Sequence, residues 1–260
     1  MTQAQSILCS LLAAIFIAGC SPAPQETSTT EVMPAPSAVS AASNALEQTV
    51  LAKGIHAKAL VLDAHADIEI PGKESRYVGD DGLSKVSPEK MQVGGVDAVV
   101  MSIAVGPGPR NAEGYAEARA IADAKLNAVL AMTDDPINNL VLAKTAEDLV
   151  AAHEQGKGAL ILGFQNARIL GTAVSGLDEF YAAGVRVFAL THMGHNDFAD
   201  SSRPVFDGET GKHEVAAEHG GLSALGKSAV TRINALGGII DISQLSKAAA
   251  LQVLALSDAP

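Results

Sequence analysis

Four apolar runs of this chain each end in a short polar cluster, and this repeated pattern limits the fold more than any other feature. The clusters are HAD at residues 65–67, QN at 165–166, TH at 191–192 and DISQ at 241–244. The apolar runs alternate with helical patterns, which predicts βα units around a parallel sheet. A (β/α) barrel assembles its site at the C-terminal ends of its strands, so the pattern favours a barrel.

The sequence predicts five strands and five helices in alternation. The strands cover Ala59–Asp67, Val96–Val105, Gly158–Asn166, Val185–His192 and Gly237–Ser243. The helices cover Ala112–Thr133, Ala146–Gln155, Leu177–Ala183, Leu222–Leu236 and Lys247–Leu256. A doubly wound sheet is the alternative, but VGPGPR after the second strand lacks the G-x-G-x-x-G spacing that such folds usually carry.

The number of strands indicates an incomplete barrel. A complete barrel needs about 250 residues, whereas residues 46–260 show only five strands, and the final LSDAP looks like the start of another. We expect about the first five βα units of an eight-unit barrel. A native open sheet of five strands is less favoured, because the two unpaired edge strands of an apolar sheet promote aggregation.

The N-terminal residues resemble a lipoprotein signal. The apolar run ILCSLLAAIFIAG is too short to span a bilayer comfortably and leads directly to Cys20. Residues 1–20 are therefore expected to be a lipoprotein-type signal peptide with Cys20 lipidated, although no Lys or Arg precedes the apolar run. Residues 21–45, rich in Ser, Pro and Ala, are expected to be a disordered tether to a domain at 46–260. The resemblance implies a lipid-anchored protein of the bacterial cell envelope, facing the periplasm, with the outer membrane favoured.

Composition excludes several classes of function. The formal net charge of −11 leaves no basic stripe for nucleic acid. Both cysteines, Cys9 and Cys20, precede the domain, so the domain has no cysteine nucleophile and no thiolate metal site. No G-x-S-x-G elbow of a serine hydrolase is present. Chemistry at a site here must use oxygen and nitrogen ligands.

The HAD cluster suggests a metal site. Residues two apart in a strand point to one face, so His65 and Asp67 can present a nitrogen and a carboxylate to one cation, with zinc favoured. An isolated H-x-D is more often a surface pair, but its place at a strand end of a barrel reverses that expectation. Among the other histidines, His195 is an alternative ligand, and a polar loop residue is its other interpretation. His153, His213 and His219 are expected at the surface.

Five segments together resemble one enzyme family. They are DAHAD, GGVDAVVMSIAV, FYAAGVRVFALTH, GLSALGKSAVTRINALGGIIDIS and LSDAP, in order from about Leu51 to Pro260. The chain is similar in these segments to the membrane dipeptidase (renal dipeptidase) family of zinc metallopeptidases. That resemblance implies a (β/α)8 TIM barrel of the metal-dependent hydrolase type. It also implies hydrolysis of dipeptides, including those with a C-terminal D-residue, by water activated between two zinc ions.

The resemblance assigns roles to some residues, while two others differ from the residues that the family has at their positions. It implies that His65 and Asp67 bind one zinc and that His192 contacts the substrate and stabilises the tetrahedral intermediate. Gln165 stands where the family has a bridging glutamate, and Gln244 where it has a histidine ligand of the second zinc. A neutral amide bridges two cations weakly, so one zinc is expected, with Gln165 as a third ligand, and a second is doubtful.

The remaining expectations concern supporting residues and function. Asp63 and Asp241 are expected to orient ligands, and a barrel-interior hydrogen bond is the alternative for Asp241. The leading functional hypothesis is a metallodipeptidase with a small peptide substrate, and a homodimer is left open. The alternative is a catalytically impaired or mononuclear barrel lipoprotein that binds peptide or cell-wall fragments.

Overall fold

A computed structural model describes residues 38–208 and 210–258 and divides the chain into two units, residues 1–48 and 49–260. The predicted signal peptide, with Cys20, lies outside the described residues. The first described element is helix α1, Ala38–His56. It begins inside the segment predicted to be a tether, where the repeated alanines of AVSAASNAL favour a helix.

The second unit is built on a parallel sheet curled into a half-barrel, as the sequence predicts. Its strands are β1 Leu62–Asp67, β2 Ala98–Ala104, β3 Leu140–Leu142, β4 Gly158–Gln165, β5 Val185–Ala189 and β8 Ile239–Asp241. The order is β1-β2-β4-β5-β8, with the short β3 beside the start of β4. A separate antiparallel pair, β6 Phe206–Asp207 and β7 Lys212–His213, lies in the loop after β5. All five predicted strands are present, somewhat shorter than predicted.

Helices follow the strands, and most of these helices begin at a side-chain cap. They are α2 Pro88–Gly94, α3 Ala112–Asp134, α4 Ala146–Glu154, α5 Gly176–Ala183, α6 Ala224–Leu236 and α7 Lys247–Leu256. Asn111, Thr145, Ser223 and Ser246 each accept a backbone N–H of the first turn, which satisfies a donor that the helix leaves free. All five predicted helices are confirmed. No helix among residues 38–208 and 210–258 is long and apolar enough to cross a bilayer.

One face of the sheet, which we call the outer face, packs against α3, α5, α6 and α7 in the main core. It carries Val99, Met101 and Ile103 of β2 and Leu160, Leu162 and Phe164 of β4. Phe164 meets Phe180 of α5 edge-on, with ring centroids 5.3 Å apart. Burying one such ring stabilises the fold by about 1.5–3 kcal/mol, so this layer helps to hold the helices against the sheet.

The opposite face, which we call the inner face, carries smaller side chains. Ser102, Ala104, Gly163 and Gln165 lie on it, in register across β2 and β4. Helix α4 covers its amino end, where Ala152 packs against Ala98 and Ala159. This face is open along β8, where Ile239 is 59% exposed, and at the end of β1, where His65 is exposed. The inner face is therefore accessible from the β1 and β8 sides of the half-barrel.

Candidate metal and substrate site

The carboxyl end of β1 brings His65 and Asp67 to the inner face. Ala66 between them is buried in the core and pairs with Met101, which fixes their orientation. The strand contains a β-bulge, because Ala64 and His65 together stand opposite Val100 alone. His65 is exposed and Asp67 is half-buried, so both side chains are accessible to a ligand.

Asp63 lies just before the bulge, and its side chain contacts the backbone of β1. Its carboxylate accepts the backbone N–H of His65 at 3.0 Å. It therefore acts on the backbone that carries His65, and the structure records no bond from Asp63 to the imidazole ring. This contact is compatible with the predicted orienting role.

Gln165 ends β4 on the inner face and is almost fully buried, at 2% exposure. Its side-chain oxygen Oε1 is buried and has no hydrogen-bond partner. The register places Gln165, Ala189 and Asp241 in one row across β4, β5 and β8. An unpartnered buried oxygen in this position is available to a ligand that approaches the inner face.

His192 follows β5 and resembles Gln165 in having a free buried atom. Its Nδ1 is buried without a partner. Burial, the largest effect, lowers the pKa of His192, and the nearby Asp67 partly opposes that shift. The charges of Arg203, His65 and Lys125 lower the pKa further. The imidazole is therefore neutral near pH 7. It lies close enough to His65 and Asp67 for their charges to affect its pKa.

Gln244 and Asp241 lie at the end of β8. The side-chain oxygen of Gln244 is buried and unpartnered, while its backbone oxygen accepts the N–H of Ser202 at 3.0 Å. Asp241 is engaged locally, because its carboxylate accepts both the backbone N–H and the hydroxyl of Ser243. Asp241 thus shapes the turn that presents Gln244.

Four residues near these positions were not singled out from the sequence. The Asp67 carboxylate beside the Tyr77 hydroxyl raises the pKa of Tyr77. Lys125 of α3 faces Asp67, although burial has the larger effect and lowers its pKa. Thr191 Oγ1 and Glu69 Oε1 are buried without partners. The alternation from His65 could have indicated Glu69, but no sequence signal points to Tyr77 or Lys125.

Two buried residues, His195 and Asp200, hold the loop after β5 in place through hydrogen bonds to its backbone. The Nε2 atom of His195 lies 2.8 Å from the Val215 carbonyl, and its Nδ1 accepts the N–H of Ser201. Both ring nitrogens are therefore engaged, and His195 is a loop residue rather than a ligand. The fully buried carboxylate of Asp200 accepts backbone N–H groups of Glu218, His219 and Gly221.

Two of the three histidines predicted at the surface are not exposed. His219 is half-buried, and its Nε2 contacts the Asn196 carbonyl at 2.8 Å. His153 is half-buried and pairs with Asp97. The prediction was wrong for these two because their partners come from distant parts of the chain. His213 is exposed, as predicted.

The donor types at these positions are ones that a divalent cation accepts. His65 and Asp67 supply a nitrogen and a carboxylate, and the free Oε1 of Gln165 supplies an oxygen. Among residues 38–208 and 210–258 no group of three or more His, Cys, Asp or Glu side chains could hold a metal ion. Two adjacent cations would repel each other without a bridging carboxylate, and the neutral Gln165 cannot replace one.

Solved structures of similar proteins share this fold. The probable dipeptidase PvdM from Pseudomonas aeruginosa is 34% identical, with a TM-score of 0.73 over 83% of this chain and 54% of that chain. A metallo peptidase from Rhodobacter sphaeroides, liganded with a phosphinate mimic of the dipeptide L-Ala-D-Ala, is 18% identical, with a TM-score of 0.60 over 78% of this chain and 64% of that one. The second likeness concerns the fold alone.

Curated relatives match over shorter segments. Dipeptidase aclJ of Aspergillus oryzae is 33% identical over 108 residues, which is 42% of this chain and 23% of that protein. Human dipeptidase 3 is 31% identical over 123 residues, 47% of this chain and 23% of that protein. The matched segment thus spans about a quarter of these relatives. The family model described as membrane dipeptidase (peptidase family M19) matches residues 50–260, and the chain therefore belongs to this family of metallopeptidases.

Proposed function

We propose that this protein is a metal-dependent dipeptidase whose site lies on the inner face, at the carboxyl ends of β1, β4, β5 and β8. The observation that carries the proposal is the set of buried, unpartnered atoms on Gln165, His192 and Gln244. Each unmade hydrogen bond costs about 1–3 kcal/mol. Such costs at the ends of three different strands support a site kept open for a ligand.

His65, Asp67 and Gln165 would hold one divalent cation. A cation bound there would lower the pKa of a water molecule and polarise the scissile carbonyl. The backbone around these residues is fixed by the sheet, and the Tyr77 hydroxyl lies beside the Asp67 carboxylate. The chain's own contribution is therefore to orient the donors before a substrate arrives.

His192 would bind the substrate rather than the cation. Because burial keeps its imidazole neutral, it can donate one N–H to a substrate oxygen without introducing a second positive charge beside the metal. A donor in this position stabilises negative charge as it develops on a carbonyl oxygen. Dipeptides with a C-terminal D-residue are included in the proposed substrates, which the ligand of the Rhodobacter sphaeroides structure supports at the level of analogy.

A second candidate function is peptide binding without cleavage. Gln165 and Gln244 are neutral where a two-metal centre needs a carboxylate and an imidazole, and the described residues lack a cluster of three charged or imidazole ligands. A barrel of this composition would bind a peptide or a cell-wall fragment on its inner face. Metal content and turnover together separate the two functions.

The decisive experiment restores the two donors. We expect the purified 260-residue protein to bind about one zinc per chain. The double variant Gln165→Glu with Gln244→His should bind close to two and hydrolyse L,L and L,D dipeptides faster, because a bridging carboxylate offsets the repulsion between the metals. Metal analysis and amino-acid release from a small dipeptide panel measure both quantities.

Gln155→Glu is the matched control, because it adds a carboxylate at an exposed position at the end of α4. It should leave zinc content and turnover unchanged. A wild-type protein that binds dipeptides but never cleaves them supports the binding function. Unchanged zinc content and turnover in the double variant would show that the two glutamines do not limit the chemistry.

A further inference from the structure

Asn166 has an unusual backbone conformation directly beside Gln165. Its φ of 82° and ψ of 102° lie in a region that residues with a Cβ rarely adopt. Among the described residues only Asn139 and Asn166 combine a side chain with a positive φ. A conformation of this kind costs about 1–3 kcal/mol and persists only where the surroundings enforce it.

The side chain of Asn166 provides the enforcement through four hydrogen bonds. Its Nδ2 donates to the carbonyls of Val105 at 3.1 Å and Gly106 at 3.2 Å. Its Oδ1 accepts the Arg168 backbone N–H at 3.1 Å and the Asn196 amide at 3.0 Å. Asn166 is only 2% exposed, so every polar atom of its side chain is used within the protein. These partners belong to the loops after β2, β4 and β5.

The partners of Asn166 are themselves held in place. Asn196 donates to the Leu190 carbonyl at 2.7 Å and accepts the Phe198 N–H at 2.9 Å. The buried guanidinium of Arg168 donates to the carbonyls of Gly106 at 3.0 Å and Gly114 at 2.8 Å. Three loops at the mouth of the half-barrel therefore meet at one side chain.

The backbone beside Gln165 is tied on both sides. Asn166 N–H donates to the Ala189 carbonyl at 3.0 Å, and the Gln165 carbonyl accepts the Val105 N–H at 3.3 Å. No hydrogen bond holds the side-chain oxygen of Gln165 itself. Its direction therefore depends on the backbone at residues 165–166, and that backbone depends on the Asn166 side chain.

We propose that Asn166 is a positioning residue that aims the side-chain oxygen of Gln165 into the site by locking the loops after β2, β4 and β5 together. The inference rests on the proposed function, because it treats Gln165 as a ligand. Removing a group that orients a ligand typically weakens metal binding by about 10–100-fold.

The test compares Asn166→Gly with Asn139→Gly in the full 260-residue protein. Glycine accepts a positive φ without strain, so each variant keeps its backbone conformation and loses only its side chain. Asn139 is the matched control, since it lies at the amino end of the sheet, where its side chain donates to Gly156. We expect Asn166→Gly to weaken zinc binding by about 10–100-fold and to lower kcat more than it raises KM, and Asn139→Gly to change neither.

A second readout uses the metal-free protein. The side-chain amide resonances of Gln165, assigned by their absence in Gln165→Glu, should be sharp in the wild type and in Asn139→Gly. They should be averaged or broadened in Asn166→Gly. Wild-type zinc affinity together with unchanged amide resonances in Asn166→Gly would overturn the positioning role, as would a failure of that variant to fold.

The two readouts separate this inference from the proposed function. A wild-type protein that neither binds zinc nor cleaves dipeptides contradicts the proposed function. The Gln165 resonances would still show whether Asn166 sets the direction of that side chain.

Discussion

The two ends of the parallel sheet treat buried polar groups in opposite ways. At the carboxyl end, Gln165, Thr191, His192 and Gln244 each keep a buried atom without a partner. At the amino end, the Asp97 carboxylate accepts the Val61 N–H at 2.7 Å and lies 2.8 Å from His153 Nδ1. The amino-end pair is satisfied within the chain, whereas the free groups at the carboxyl end are the ones that the proposed function assigns to a ligand.

One residue departs from this division. Asn234 in α6 has a buried, unpartnered Oδ1, although its Nδ2 donates to the Leu256 carbonyl at 3.0 Å. Asn234 lies in the last turn of α6, which leads to the amino end of β8 rather than to its carboxyl end. A single free oxygen is therefore weak evidence of a site. The concentration of free atoms at neighbouring strand ends is stronger evidence.

The largest expected effect concerns Asp200, a carboxyl-end residue that is fully paired. Asp200→Asn should lower the free energy of unfolding at pH 7 by about 3 kcal/mol, because an amide N–H group would face the backbone donor of Gly221. Urea denaturation of both proteins measures the difference. A loss of metal binding without a loss of stability would contradict this assignment of Asp200 to the fold.

The same pair of proteins tests the acid dependence of stability. Burial, the largest single effect, would raise the pKa of Asp200, but the three backbone donors and His195 hold it below the usual 3.8. The stability that Asp200 contributes is therefore complete above the unfolded pKa and is lost as pH falls through the lower folded pKa. The difference between wild type and Asp200→Asn should shrink accordingly below about pH 4.

A smaller effect is expected at the amino end. Asp97→Asn should destabilise the protein by about 1.5 kcal/mol, because the amide keeps only one acceptor for the Val61 N–H and the His153 ring. Zinc affinity, measured by titration, should not change. A fall in zinc affinity would break the distinction between the two ends of the sheet.

The smallest effect is expected at Thr191 and has the opposite sign. Thr191→Val removes a buried hydroxyl that has no partner, so the free energy of unfolding should rise by about 1 kcal/mol. If the hydroxyl is kept for a ligand, the same change should raise KM for dipeptides. Thermal unfolding and steady-state kinetics measure the two quantities, and a loss of stability would show that the hydroxyl has a partner in solution.

The sequence was sufficient to predict the elements that carry their own signals. The five predicted strands and five predicted helices are present because alternating periodicity is a local property, and α7 has the predicted bounds. Helix α2 was missed because seven residues are too few for periodicity, although Ser87 and Pro88 are start signals. The last predicted residues of β5 are outside the strand, and the Leu190 carbonyl there accepts the N–H of Ala167 and the side-chain amide of Asn196.

The supporting residues could not be predicted in the same way. The H-x-D pattern pointed to His65 and Asp67, whose place on the inner face follows from local alternation. The roles of Asn166 and Asp200 depend on backbone groups that are far away in the sequence, such as Val105 and Gly221. No local pattern distinguishes an asparagine that joins three loops from one in an ordinary turn.

The bulge in β1 changes which side chains of the strand share a face. Asp63, His65 and Asp67 are all odd-numbered, and strict alternation would aim three potential donors at one ion. The extra residue at the bulge changes the parity, so that Asp63 shares the side of Val99 while His65 and Asp67 face inward. Alternation in the sequence therefore predicts one ligand too many. The carboxylate of Asp63 instead accepts a hydrogen bond from the backbone of His65.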